Sequence, residues 1–381
     1  MDQYSTKISY AMNVLNGEPF IDYQLRSIYK HAHEIIIVEG AYKKFAFATN
    51  NGRSQDTTLS SIRSFPDPDR KIKLIVKDGF YEDRMEMCNE FMHHITGDVV
   101  WQIDADEFYH DHTHIYIKEL FAADADLDTV SFNFIDVFGS LKLQTSGLEG
   151  TGLQDVKRVH RFAKGDIWIN QRPPVLGNEL GQIKPINKVI QGDELERSGH
   201  LMFNLTMLFE KQIQDKFLYY QAKEFTGPMY DWFDKSIRTF RDKFNMLNFA
   251  GHLTYLTVIK SKLPDICIQI QQDCIDKNTK YPFIPDSIHY EIVTSPVYNP
   301  AVRAAYEINT LPQKQWSLLK LALKVPVIAV DIFYTFDSSS TGFVFRVFLT
   351  KSLLSLKKIF AGWFRLLKKA IARPEAINNE I

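Results

Sequence analysis

Short runs rich in β-branched residues alternate with stretches of helical spacing through the N-terminal hundred residues, and that alternation leaves few folds open. Strands joined through helices run parallel, and a parallel sheet must be covered on both faces. Ile8–Val14 reads as the first strand, and Phe20, Tyr23, Leu25 and Ile28 give helical spacing over 19–31. The Ile-rich run 34–38 completes one strand–helix–strand unit. A polar loop with Asn50, Asn51, Gly52 and Ser54 leads to a short helix ending near Phe65, and Pro66 and Pro68 precede a strand over 72–76. Met85, Cys88, Phe91 and Met92 predict a helix over 81–95, ended by Gly97 before a strand over 99–103. That fourth strand delivers Asp104 at its carboxyl end.

Beyond it, 129–134 and 156–162 read as strands, with the Gly-rich segment 139–152 expected as a mobile loop between them. Residues 208–247 are mainly helical in pattern, and the interleaved prolines of 259–312 leave that region without an assigned element. The expected fold class is α/β, a mixed, mainly parallel sheet flanked by helices with a C-terminal helical extension. The expected divisions are a catalytic domain over 1–255, a helical or irregular extension over 256–340, and a basic amphipathic helix and tail over 341–381. With 381 residues, 45% of them hydrophobic, the chain can bury a large core.

A formal net charge of -1 gives no general pull toward nucleic acid, so no nucleic-acid partner is expected. The three cysteines, Cys88, Cys267 and Cys274, include no CxxC pair and cannot all pair within one chain, which points to a reducing compartment. Residues 1–7 lack the basic segment and apolar run of a signal peptide, and no stretch carries 18 uninterrupted apolar residues. The expectation is a cytoplasmic protein, and the sequon Asn204-Leu205-Thr206 reads as chance.

Asp104, Asp106 and Glu107 follow a hydrophobic strand, and ligands of open α/β sheets bind beyond the carboxyl ends of the strands. Carboxylates two residues apart can turn toward one hard cation, Mn²⁺ or Mg²⁺, that carries a diphosphate. Three segments, Ser9–Asn13, Glu34–Gly40 and Gly97–Glu107, resemble family 2 glycosyltransferases, and the likeness extends over about residues 8 to 205. It implies a GT-A fold, a nucleotide-sugar donor across the N-terminal half, and an inverting transfer to an acceptor hydroxyl. It places Asp104 and Asp106 as the metal-binding DxD motif, and Asn13, Glu39, Arg84 and Asp104 against the donor. Glu39 stands where Asp is usual in the family, and Asn89 matches a position near the donor. His200 is similar to a late histidine that completes the metal site, while Arg158, Trp168 and Arg172 resemble acceptor-side sequence. For the base, Glu149, Asp155 and Glu179 are the candidates, with Glu179 selected. The acceptor is a glycan, a lipid-linked sugar or a protein.

His110-Asp111-His112-Thr113-His114 could bind zinc if extended, but no second ligand cluster accompanies it, so a solvated loop is expected. A haloacid-dehalogenase-type phosphatase would need its DxD after the first strand, and a dinucleotide oxidoreductase a Gly-rich turn where only Asn16-Gly17 stands. A non-catalytic binding or scaffold protein that keeps the transferase fold is the alternative from another class. From Phe343 to Arg373 there is no acidic residue, and Leu349, Leu353, Leu356, Phe360, Trp363 and Leu367 recur as one apolar stripe. Lys351, Lys358 and Arg365 form a separate line seven residues apart, which suits peripheral attachment to an anionic membrane surface.

Overall fold

Four strands make the parallel half of the sheet: β1 (Ile8–Val14), β2 (Glu34–Glu39), β3 (Ile72–Val76) and β4 (Val99–Gln102). They appear in a computed structural model that describes residues 6–147, 155–171, 173–209, 211, 212, 215, 246–249, 252–276 and 281. These all belong to the first of two units, Met1–Val293; the second, Thr294–Ile381, lies outside the described residues, and so does the expected amphipathic helix.

The order β3-β2-β1-β4 follows from burial on both faces. Along β2, Ile35 and Ile37 pack with Leu25 and Ile28 of α1 (Ile21–Ile28) on one side, joined there by Tyr10, Met12 and Trp101. Ile36 and Val38 turn the other way, onto Cys88 and Phe91 of α3 (Arg84–Met92), with Ala11 and Val100. Each such side chain stabilises the fold by about 1.5–3 kcal/mol on burial. A second helix, α2 (Thr58–Ser64), covers the first face through Ile62.

The entry to β4 is fixed by polar contacts. Gly97 N donates to Ser9 Oγ at 3.0 Å, and Ser9 Oγ donates to Glu34 Oε1 at 2.6 Å. A Cβ at Gly97 would lie 2.5 Å from Ser9 Oγ and 2.6 Å from Lys7 O, so only glycine lets β4 start this close to β1.

The rest of the sheet is largely antiparallel. β8 (Asp155–Arg161) lies beside β4, and the long β6 (Leu127–Phe138) lies beside β8. Next come β7 (Ser140–Gly147), β14 (His252–Val258) and β13 (Met246–Phe249), while β9 (Ile167–Gln171) and β10 (Pro174–Gly177) form a separate ribbon. β11 (Lys188–Ile190) runs parallel to β6, and α5 (Gly192–Arg197) follows it. β12 (Met202–Met207) pairs with both β6 and the short β5 (Glu107–Tyr109). The α/β architecture expected from the sequence, a mixed sheet with parallel strands flanked by helices, is therefore the one observed.

Two local expectations are corrected. Residues 140–147 are strand rather than mobile loop, because Leu141 and Leu143 alternate into the core and the strand pairs with β14. The His-rich run is not a solvated loop. It opens α4 (Asp111–Ala123), with His114 buried and its Nδ1 hydrogen-bonded to Tyr10 Oη at 2.8 Å. In the proline-interrupted region, α6 (Asp265–Asp276) packs on α1, where Tyr23 Oη donates to Asp273 Oδ2 at 2.7 Å.

Burial pushes the imidazoles of His114 and His160 down from 6.5 to about 3. The unfolded chain takes up a proton on each near pH 6.5 and the folded chain does not. Their stabilising contribution is therefore complete above about pH 6.5 and declines as pH falls toward 3, by roughly 1.4 kcal/mol per pH unit for each histidine. Urea unfolding at about pH 7 and about pH 4.5 should show this loss. His114→Gln, which keeps a hydrogen-bonding side chain but cannot protonate, should remove about half of the His-dependent slope; an unchanged slope would refute the assignment.

Candidate functional site at the strand ends

Between β1 and β4 the chain order reverses, since β2 lies on one side of β1 and β4 on the other. Side chains and loops leaving the carboxyl ends of those two strands diverge, and a crevice opens between them. A cleft of about 630 Å³ occupies that place. Asn13 and Asn16 line it from the end of β1, and Gly40 and Ala41 from the end of β2. The turn Lys43–Ala48 adds Phe45 and Phe47, and α3 presents Arg84 and Met87 at its amino end. Gln102, Asp104 and Asp106 come from β4 and the turn beyond it. Thr206, Lys211, Asp215 and Tyr281 close the remaining wall.

Two buried acceptors stand at the β1–β2 side. Asn13 Nδ2 donates to Cys88 Sγ at 2.9 Å, and its Oδ1 is buried with no partner among the described residues. Glu39, the last residue of β2, is fully buried. Its Oε1 accepts from Ser54 N at 2.7 Å, while Oε2 has no partner among the described residues. Burial pushes the Cys88 thiol up, against Arg84 and Asn13, so it is a neutral packing residue.

The acidic cluster is built from three distant segments. Asp104 N donates to Glu107 Oε2 at 3.2 Å, and Gln24 Nε2 donates to the carbonyls of Asp104 at 2.9 Å and Glu107 at 2.7 Å. Arg158 Nη2 reaches Asp104 Oδ2 at 3.3 Å and is paired directly with the Glu107 carboxylate. Burial first, then the Asp104 and Asp106 carboxylates, push the Glu107 carboxyl up, against the pull of Arg158. Burial alone would lower the Arg158 guanidinium, but Glu107 and then Asp104 raise it, so it stays charged.

Of the residues selected from the sequence, Asn13, Arg84, Asp104 and Asp106 meet at the cleft, while Glu39 is fully buried and does not line it. Four others lie elsewhere. Arg158 sits beneath the acidic cluster rather than on an acceptor surface. Trp168 is 1% exposed and packs with Met87 and Phe91, so its ring is core. His200 does not line the cleft: its ring stacks on Tyr116 at 4.1 Å and its Nδ1 is bonded to Thr113 Oγ1 at 3.1 Å. Glu179 is exposed in the turn after β10 and does not line the cleft either. Arg172 and Glu149 lie outside the described residues, and Asp155 Oδ1 accepts from Gly192 N. Asn89, expected near the donor, instead clamps β9 to α3, accepting from Trp168 N at 2.8 Å and donating to Trp168 O at 3.0 Å.

Sequence reasoning missed Gln24, Lys211 and the structural part played by Glu107. Gln24 carried a usable signal, a polar residue one turn beyond Phe20 on the inward stripe of α1. Lys211 carried none, because its approach to the cleft depends on where the chain goes after β12.

All donors offered by Asp104 and Asp106 are oxygens, and the Asp104 side chain is 36% exposed. Among the described residues no three His, Cys, Asp or Glu side chains form a ready cage. The pair fits a hard cation that takes its remaining ligands from a bound anion and water, as Mg²⁺-type sites do.

No family model and no curated protein matches this chain. Among solved structures it is similar to S. aureus TarS, with 18% identity, a TM-score of 0.27, and 34% of this chain and 22% of that chain covered. Residues 1–349 of TarS in complex with UDP-GlcNAc match at 17% identity and a TM-score of 0.30, over 41% of this chain and 45% of that one. Glucosyl-3-phosphoglycerate synthase from Mycobacterium tuberculosis, with Mn²⁺, UDP and glucosyl-3-phosphoglycerate, matches at 16% identity and a TM-score of 0.26, over 36% and 46%. Each match spans less than half of the other protein, and likenesses at these TM-scores carry no weight for the chemistry of the cleft.

Asn89→Leu would leave the amide and carbonyl of Trp168 buried and unpaired. A loss of about 2 kcal/mol is expected from denaturant titration, on the usual cost of unsatisfied buried polar groups; a loss below about 0.5 kcal/mol would show that the clamp does not hold β9.

Proposed function

We propose that this chain is a metal-dependent glycosyltransferase whose nucleotide-sugar donor occupies the cleft between the ends of β1 and β4. One observation carries the reading: Asp104 and Asp106 leave a central parallel strand at the point of chain reversal and face a cleft that also holds Arg84 and Lys211. Carboxylates that outnumber the cations of the lining suit a diphosphate that arrives with its metal ion rather than a bare anion, with Arg84 beside it and Lys211 held by Asp215 at 2.6 Å.

On this reading Asn13, at the end of β1, accepts through Oδ1 from a hydroxyl or N–H group of the nucleoside, which removes the cost of leaving that oxygen unpaired. Phe45 and Phe47 offer apolar surface beside the nucleoside. Arg84 holds the diphosphate's charge as the sugar departs, and Lys211, paired with Asp215 at 2.6 Å, adds to it by turning from that carboxylate to the ligand. A bound Mn²⁺ or Mg²⁺, held by Asp104 and Asp106, supplies further neutralisation of the leaving diphosphate. The acceptor is a hydroxyl of a glycan, a lipid-linked sugar or a protein, and the transfer is inverting.

Asp106→Ala should lower transfer at least about 100-fold, because a catalytic metal contributes several kcal/mol to the transition state. The fold should survive, as no apolar core is lost. EDTA should abolish transfer and Mn²⁺ restore it, followed as release of nucleoside diphosphate from a panel of nucleotide sugars. Transfer that resists EDTA would overturn the metal-dependent reading. A protein that binds donors in Mn²⁺ but turns none over, with or without acceptors, would be the non-catalytic binding protein instead.

Peripheral attachment of residues 343–373 to an anionic membrane is part of the same proposal and rests on their sequence pattern alone. Among the described residues no helix is long and apolar enough to cross a membrane. The full chain should co-sediment with phosphatidylserine-containing vesicles at low salt, and a chain ending at Ser340 should not; equal behaviour of the two would remove the attachment.

A further inference from the structure

We infer that Gln24, Glu107 and Arg158 are positioning residues that hold Asp104 in one orientation toward the cleft, an inference that rests on the donor site proposed above. Asp104 follows the end of β4 with no regular ladder of its own, and each of its three hydrogen-bonding groups is met by one of these residues. Its N–H donates to Glu107 Oε2 at 3.2 Å, its carbonyl accepts from Gln24 Nε2 at 2.9 Å, and its Oδ2 accepts from Arg158 Nη2 at 3.3 Å.

The three hold one another as well. Arg158 is paired with the Glu107 carboxylate, and Gln24 Nε2 also donates to the Glu107 carbonyl at 2.7 Å. Ser27 Oγ donates to Gln24 Oε1 at 2.9 Å, which sets the amide so that its nitrogen points at both carbonyls. Glu107 is 2% exposed and Gln24 fully buried, yet they come from β5 and α1, and Arg158 from β8. The nearest two are more than fifty residues apart in the chain, except for Glu107 and Asp104 themselves.

Burying a carboxyl and a guanidinium is a poor way to gain stability, since apolar side chains of the same volume do as well or better. What the polar set alone can do is aim a carboxylate. An Asp at a strand end has a short side chain with two soft torsions, and a ligand-binding oxygen must lie within a few tenths of an ångström of its place. Arg158 reaches both carboxylates through one nitrogen, Nη2, and the rigid plane of the guanidinium fixes where that nitrogen lies, which the freely rotating ammonium of lysine cannot do.

The test uses the full chain with Mn²⁺ and UDP as probes and isothermal titration calorimetry as the readout, once with Mn²⁺ and once with EDTA. Arg158→Lys keeps the charge and loses the rigid plane, and Gln24→Met keeps the size and loses the donor. Each should weaken Mn²⁺-dependent UDP binding on the order of 10-fold, the usual effect of losing a group that orients a metal ligand, with UDP binding in EDTA unchanged. Wild-type affinity in both variants would overturn the positioning role, and so would equal weakening with and without Mn²⁺, which is what a merely structural role predicts. If circular dichroism shows Arg158→Lys unfolded, Gln24→Met decides the matter alone. Wild-type protein that shows no Mn²⁺-dependent UDP binding would overturn the donor site itself and the positioning role with it, an outcome distinct from a failure confined to the variants.

Discussion

The placement of β4 beside β1, opposite β2, is the constraint on which the rest of the structure depends. Both faces of these strands are covered by helices, so polar groups on them can reach solvent only at the strand ends. The reversal of chain order at β1 then parts the connections and leaves room for a ligand. Gly97 enforces it locally, because any side chain there would strike Ser9 and Lys7 and push β4 away from its neighbour.

Beneath the cleft, one guanidinium serves two carboxylates and lies close to a third. Arg158 touches Asp104 and Glu107, and Asp106 adds its charge to the same environment. Glu107 lies in the core with its carboxyl pushed up by burial, while Asp104 and Asp106 line the cleft. The antiparallel strands contribute here: β12 pairs with β5 and fixes Glu107, and β8 brings Arg158 under β4.

The alternation of strands and helices up to Asp104 was legible because β1, β2 and β4 are buried and rich in apolar residues, and the half-buried β3 is still marked by its isoleucines, leucine and valine. Strands β1 and β3 end where their residue patterns end. The long strand β6 and its neighbour β7 were less legible. β6 exceeds its apolar run at both ends, and β7 is a strand because β14, more than a hundred residues later, supplies its partner. The His-rich run was misjudged for a related reason: His114 is buried by contact with Tyr10 and Trp101, and no local property of an imidazole marks that.

By itself the sequence determined the class of sheet, the strand that carries Asp104 and the acidic turn at its end, since these depend on local apolar periodicity and on which residues follow it. Tertiary structure alone decided which other side chains meet there. It took Arg158 from a supposed acceptor surface to the underside of Asp104, Trp168 into the core, and His200 onto Tyr116, while it brought in Gln24 and Lys211. Those choices depend on pairings between strands and helices far apart in the chain, whose energies come from contacts that no single segment contains.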